Sequence, residues 1–346
     1  MTKRIDRPLL LVLDDREGLI RQAPSMEAIR GLCDIQFLDA PLDQTDRDFP
    51  EVNMLMLIRE RTRVPETVLE RFPNLEVIFQ TGGHAYHIDT SATTRRGIPV
   101  ALTRHATAVT RAIPELTFLL AAACLRRLPE AQKILGAGRW DVPVGRTLAG
   151  RTMGILGFGR NGRNVARLAG ALGMDVVAWA RRETAGETRE ADLCGVPLLP
   201  LEALLSRADV VSIHLRLSDE SRGLLGEDEL RKMKPRSVLV NTSRGAIVNE
   251  PALLRVLASG PLAAAGLDVF GEEPLPRDSP LLHLPNVVLT PHIGWQVEET
   301  FEEFAALVAQ QVTDYLHAGL SREQLIDPSM TLRSGASGGI SASGPR

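Results

Sequence analysis

Short apolar runs of strand length recur along this chain and alternate with stretches of helical spacing. In the first hundred residues the strand-like runs are Leu9 to Leu13, Ile35 to Leu38, Met54 to Ile58, Val77 to Gln80 and Ile98 to Leu102. Helix-like segments lie between them, among them Pro65 to Arg71 with proline in its first turn. A long apolar helix is predicted from near Arg111, with Pro114 and Glu115 early and a dense run from Leu116 to Leu128. Gly136, Gly138 and Gly145 then break the pattern and predict a loop. The alternation resumes with Met153 to Leu156, Asp175 to Trp179, Val210 to His214, Val238 to Asn241, Ala264 to Asp268 and Val287 to Thr290. A last helix is predicted from Gln296 to Leu316. Strands alternating with helices predict an α/β fold of doubly wound parallel sheets covered on both faces. The segment Thr331 to Arg346 is rich in Gly and Ser and poor in large apolar residues, and is expected to be a disordered tail.

Composition narrows the function classes. A length of 346 residues suggests two domains, and 44% apolar residues supply sizeable cores. A net charge of -3 is too near neutral to argue for nucleic acid or an anionic membrane surface, and 4% aromatics argue against a base-stacking platform. Cys33, Cys124 and Cys194 are far apart, which fits a reducing compartment and argues against a zinc or disulfide framework. Met1 to Arg7 lacks the apolar core of a signal peptide, and Leu116 to Cys124 is too short to span a bilayer. The expectation is a cytoplasmic protein with no membrane segment.

The chemistry starts at Gly157-Phe158-Gly159-Arg160-Asn161-Gly162, between a predicted strand and a predicted helix. In that context Gly157, Gly159 and Gly162 let the backbone approach a pyrophosphate, and the helix N-terminus offers it N–H groups and positive dipole. An NAD-type site places Asp or Glu about 20 residues on, to bond the ribose 2′-hydroxyl. Here the next strand ends in Ala180-Arg181-Arg182. Two guanidiniums attract a 2′-phosphate where a carboxylate would repel it, so NADP(H) is the predicted cofactor, with NAD(H) possible.

Three further groups follow strand ends. Arg244 lies in Thr242-Ser243-Arg244-Gly245, a carboxylate in Asp268-Val269-Phe270 or the following Glu272-Glu273-Pro274, and His292 in Pro291-His292-Ile293-Gly294. Doubly wound sheets bind ligands at the carboxyl ends of their strands, so the three fall on one rim. The set suits hydride transfer on a 2-oxo or 2-hydroxy acid. A planar cation orients the carboxylate, histidine exchanges the proton of the carbonyl oxygen, and a carboxylate beside it favours the imidazolium. Each residue taken alone has an ordinary surface alternative; their joint occurrence after the glycine turn carries the reading.

At this point the chain resembles the D-isomer-specific 2-hydroxyacid dehydrogenases. The resemblance rests on Gly157 to Gly162, Val240 to Gly245, Gly266 to Phe270, Glu273-Pro274 and Thr290 to Gly294, with weaker support from Ile88-Asp89 and Arg96 to Val100. It covers about residues 8 to 328. It implies a flavodoxin-like substrate domain of residues 1–103 and 296–330, a Rossmann dinucleotide-binding domain of residues 104–295, and an active site in a cleft between them. By resemblance Arg244 binds the substrate carboxylate and carbonyl, His292 is the acid in reduction and the base in oxidation, and Glu273 pairs with His292. Thr242 and Asp268 join the cofactor site, Asp268 at the nicotinamide carboxamide. The backbone of Gly83 and His84 binds the substrate carboxylate. A homodimer held by the cofactor domains is implied, with the helix from Leu116 as a contact.

The chain also departs from the family. His84 stands where glycine is usual, Arg216 where proline is frequent, and Trp295 where a small residue is common. Arg59 either engages a second anionic group of the substrate or is a solvated member of the run Arg59-Glu60-Arg61. The expected activity is reduction of a small acid such as glyoxylate or hydroxypyruvate. Phosphoglycerate oxidation is less favoured, because its biosynthetic enzymes often carry a further regulatory domain for which this chain has no room. Formate oxidation is disfavoured because Glu273 holds the position of a glutamine in that branch. A non-catalytic dinucleotide sensor of the corepressor type, on the same scaffold, is the alternative.

Overall fold

The computed structural model describes residues 7–141, 143–180 and 195–330. The chain divides into two compact units, Met1–Ala108 with Val297–Arg346, and Val109–Gln296. The crossings thus fall at 108/109 and 296/297, against 103/104 and 295/296 from the sequence. The segment Thr331 to Arg346 and the pair Arg181 and Arg182 lie outside the described residues.

The first unit is built on β1 (Leu9–Leu13), β2 (Asp34–Leu38), β3 (Met54–Leu57), β4 (Val77–Gln80) and β5 (Val100–Leu102). All pairings are parallel, in the order β2-β1-β3-β4-β5. This is the flavodoxin-like order, in which the chain reverses direction between β1 and β3. Every residue of β1, β3, β4 and β5 is buried, because helices cover both sheet faces and leave no polar side. β2 lies at the edge, where Asp34 and Gln36 point to water. The helix Glu298–His317 completes this unit by burying Phe301, Phe304, Val308 and Val312. Beyond it Leu325 pairs antiparallel with Ala101 of β5, and Gln311 Nε2 donates to the Leu102 carbonyl at 3.1 Å.

The second unit contains β6 (Thr152–Leu156), β7 (Asp175–Trp179), β8 (Val210–Ile213), β9 (Ser237–Asn241), β10 (Leu262–Leu267) and β11 (Val287–Leu289). These are also parallel, in the order β11-β10-β9-β8-β6-β7. Leu198 adds a parallel bridge on the outer side of β7, so the chain visits its positions in the order 3-2-1-4-5-6-7, the Rossmann order 3-2-1-4-5-6 with β11 added at the far edge. The direction reverses between β6 and β8, which places the carboxyl ends of those strands at the ligand crevice.

The long helix expected from Arg111 to Leu128 is Val109–Leu125, followed by a separate helix Leu128–Gly136. Arg127 between them takes a left-handed φ of 54°, and Pro129 restarts the helix in its first turn. Gly136 therefore closes a second helix that the apolar pattern did not distinguish from the first. Pro114 sits inside Val109–Leu125 and cannot donate to the Thr110 carbonyl; Asn164 Nδ2 donates to that carbonyl instead, at 2.8 Å.

Candidate active site

Each glycine of the turn after β6 has its own steric reason. Gly157 has φ +98° and its N–H donates to the Trp179 carbonyl at 2.9 Å, while a Cβ there would lie 2.6 Å from the His214 carbonyl oxygen. A Cβ on Gly162 would lie 2.1 Å from the Gly157 oxygen, so this glycine lets the helix Arg160–Ala171 close onto β6. Around Gly159, at the helix N-cap, nothing lies within 4 Å of a Cβ. Two glycines are required by the protein itself and the third faces open space at a helix N-terminus. That is where a dinucleotide diphosphate fits the residues present. Arg160 is exposed on the first helical turn. His214 closes the turn from β8, with Nε2 2.7 Å from Ser212 Oγ; burial pushes its pKa down to about 4 and keeps it neutral.

The carboxyl ends of β9, β10 and β11 bring three loops together. The Asp268 N–H donates to the Asn241 carbonyl at 2.9 Å, and the Thr290 N–H to Leu267 at 3.0 Å. After β9, Asn241 ties down its own loop by donating to the Arg244 carbonyl and accepting from the Ser243 N–H, at 2.9 and 3.0 Å. A Cβ on Gly245 would lie 2.0 Å from the Phe270 carbonyl, so only glycine lets the Arg244 loop lie against the one after β10. The Arg244 charge thereby reaches Glu273.

Glu273 Oε2 lies 2.7 Å from His292 Nδ1, and Oε1 accepts the Phe270 N–H at 2.9 Å. Burial alone would raise the Glu273 carboxyl. The His292 bond and charge, the Phe270 N–H and the Arg244 charge outweigh it, and Glu273 titrates below its ordinary value. His292 has a left-handed φ of 55°, a region uncommon for residues other than glycine but one that histidine enters more readily than most. Asp268, only 1% exposed, holds the segment in place. Its Oδ1 accepts from Thr290 Oγ1 at 2.6 Å and the Ile293 N–H at 2.8 Å, and its Oδ2 from the Gly294 N–H at 2.9 Å. Burial nevertheless pushes the Asp268 carboxyl upward. Thr242 is buried with its hydroxyl 3.1 Å from that of Thr117 on the helix Val109–Leu125.

Gly83 and His84 belong to the other unit, at the carboxyl end of β4. Gly83 is exposed with open space around it. His84 Nε2 lies 2.7 Å from Glu60 Oε1, and its ring stacks on Tyr86 at a centroid distance of 4.6 Å. Arg59 is 8% exposed, which overturns its reading as a solvated residue. Its N–H donates to Thr81 Oγ1 at 2.8 Å, and a Cβ on Gly82 would lie 2.1 Å from its Nη1. Sequence reasoning missed the Glu60–His84 pair, the anchoring bonds of Asp268 and the half-buried His214. Only Asp268 carried a signal, an acidic residue directly after an apolar strand. Among the described residues no group of His, Cys, Asp and Glu could hold a metal ion, and no helix is long and apolar enough to cross a membrane.

Residues 118–294 match the family described as D-isomer specific 2-hydroxyacid dehydrogenase, NAD binding domain. A glyoxylate reductase of Korarchaeum cryptofilum is 40% identical over 253 residues, which make up 71% of this chain and 74% of that protein. A D-3-phosphoglycerate dehydrogenase of Methanocaldococcus jannaschii is 32% identical over 320 residues; the match takes in 92% of this chain but only 58% of the relative. Among solved structures, an NADPH-dependent glyoxylate/hydroxypyruvate reductase of Sinorhizobium meliloti superposes with a TM-score of 0.76 at 26% identity, over 94% of this chain and 100% of that one.

Proposed function

The chain belongs to the D-isomer-specific 2-hydroxyacid dehydrogenases, oxidoreductases with a nicotinamide dinucleotide-binding domain, and from that premise we propose that it reduces a small 2-oxo acid of the glyoxylate or hydroxypyruvate type, with NADPH preferred over NADH. The observation that carries this reading is the Glu273–His292 contact of 2.7 Å on a rim shared with Arg244. The cofactor, when bound at the glycine turn, supplies the hydride. Arg244 holds and orients the substrate carboxylate and polarises the carbonyl. His292 spends Nδ1 on Glu273, which leaves Nε2 to give a proton to the carbonyl oxygen in reduction and to take it back in oxidation. Glu273 fixes the ring and stabilises the imidazolium. Asp268 holds the histidine segment through the Ile293 and Gly294 N–H groups and is the proposed contact of the nicotinamide carboxamide. The backbone of Gly83 and His84 is the proposed second grip on the substrate carboxylate. The first unit is accordingly the substrate domain and the second the cofactor domain.

NADPH preference rests on Arg181 and Arg182 following β7, whose last residue accepts the Gly157 N–H. The NADPH-dependent reductase among the similar structures supports it. The test is oxidation of NADPH and NADH in parallel against a panel of 2-oxo acids. Turnover is expected on glyoxylate or hydroxypyruvate, faster with NADPH. Changing Arg181 and Arg182 together to Ala should raise KM for NADPH roughly tenfold or more and spare NADH. Equal loss with both cofactors would remove the phosphate-binding role, and cofactor binding without turnover on any acid would favour the sensor. We further propose a homodimer, since Leu119, Leu128, Leu135, Trp140 and Val144 are exposed along one stretch of the second unit.

A further inference from the structure

The helix Arg160–Ala171 carries two asparagines three residues apart and therefore on one face, Asn161 and Asn164. Asn164 is accounted for by the Thr110 carbonyl that Pro114 leaves without a helical donor. Asn161 is not. It stands one turn nearer the helix N-terminus, two residues from Gly159 and its open space. Its side-chain Oδ1 is buried and has no hydrogen-bond partner among the described residues. Buried polar atoms are nearly always paired, and leaving one unpaired is costly. An apolar side chain at this position would avoid that cost altogether. A buried amide oxygen kept there without a protein partner points to a partner that arrives with the ligand.

We propose that the Asn161 side chain is itself a ligand of the dinucleotide, distinct from the backbone N–H groups of the turn, and pairs with the diphosphate or with a ribose hydroxyl next to it. This rests on the reading of the glycine turn as the cofactor site. Two groups of the dinucleotide have the chemistry to satisfy the amide. A ribose hydroxyl donates to its oxygen, and a diphosphate oxygen accepts from its nitrogen. Oxygen and nitrogen of an amide are interchanged by a half-turn, so either group can be served. Charge separates the two. Asn161→Asp keeps an acceptor for a hydroxyl but repels a diphosphate, whereas Asn161→Leu removes both capacities.

The experiment is calorimetric titration of the full chain, wild type and both variants, with NADPH, NADH and ADP, together with the melting temperature of the cofactor-free proteins. Asn161→Leu is expected to weaken both reduced dinucleotides about tenfold. The same variant should leave the melting temperature of the free protein unchanged or raised, because a buried unpaired acceptor has gone. Asn161→Asp binding as wild type identifies the ribose hydroxyl; Asn161→Asp weaker than Asn161→Leu, with ADP weakened in parallel, identifies the diphosphate. Wild-type affinity in Asn161→Leu overturns the proposal, and so does a fall in its melting temperature that accompanies the lost affinity, which marks a structural role. A wild type that binds neither NADPH nor NADH overturns the cofactor-site reading itself.

Discussion

At the scale of single residues, the site is governed by which oxygen and nitrogen atoms are already spent. Glu273 uses one oxygen on the Phe270 N–H and the other on His292, so it cannot turn away from the imidazole without losing a backbone bond. Its lowered pKa keeps it ionised across the range in which a histidine titrates. In the proposed reaction the ionised Glu273 faces the imidazole that would give up the proton. Glu273→Gln removes that charge while preserving shape. The alkaline limb of kcat/KM for reduction should then move to lower pH, and the rate at neutral pH should fall roughly tenfold or more. A pH profile that superposes on the wild type would show that the carboxylate only positions the ring.

At the scale of elements, the helix Val109–Leu125 has a buried and an exposed face, and the helix Leu128–Gly136 after it buries none of its residues. Leu116, Leu120 and Cys124 are buried on the second sheet, while Leu119, Leu128 and Leu135 face outward. If a second copy covers the outward face, Leu135→Glu combined with Trp140→Ala should convert the dimer to monomer, read as a halved mass by light scattering. A wild type that is already monomeric would end that idea. These helices also mark the boundary of what periodicity can reveal. The eleven strands of the described residues were legible as apolar runs; those covered on both faces, such as β1, β3, β4 and β5, have no polar side to disguise them, and in the edge strand β2 Asp34 and Gln36 alternate with Ile35 and Phe37. The break at Arg126-Arg127 was not, because it depends on one left-handed residue, and arginine gives no warning of that conformation. In the site, Arg244, Glu273 and His292 could be read because each follows a strand end at fixed distance from a glycine or proline. The Glu60–His84 pair could not, since it joins the loop after β3 to the loop after β4 and neither segment names the other. The burial of Arg59 was not legible for the same reason: the glycine that lets its guanidinium pack inward, Gly82, lies more than twenty residues away in the sequence.

At the scale of the whole molecule, each unit holds a half-buried histidine among its described residues that desolvation keeps neutral, His87 and His214. Burial pushes His87 down to about 4 in the first unit and His214 down to about 4 in the second, from an ordinary value of 6.5. Below pH 6.5 the unfolded chain takes up protons at both positions that the folded chain refuses. Stability should therefore be full above that pH and fall as pH drops towards 4, by about 1.4 kcal/mol per pH unit for each histidine. Melting temperatures measured from pH 7 to pH 4.5 test this. His214→Gln should flatten the slope of the second unit alone, and an unchanged slope in that variant would show that other groups drive the acid loss.

The first unit is made from two stretches of chain separated by the whole of the second. β5 has Leu325 as its antiparallel neighbour, and the sheet's helical cover includes Phe301 and Phe304. A chain emerging residue by residue from the ribosome therefore exposes β1 to β5 long before their last covering helix exists. The second unit has all of its strands once Gln296 has been made, and can settle while the earlier sheet still waits. The order of translation thus runs opposite to the order of completion: the part begun first is finished last.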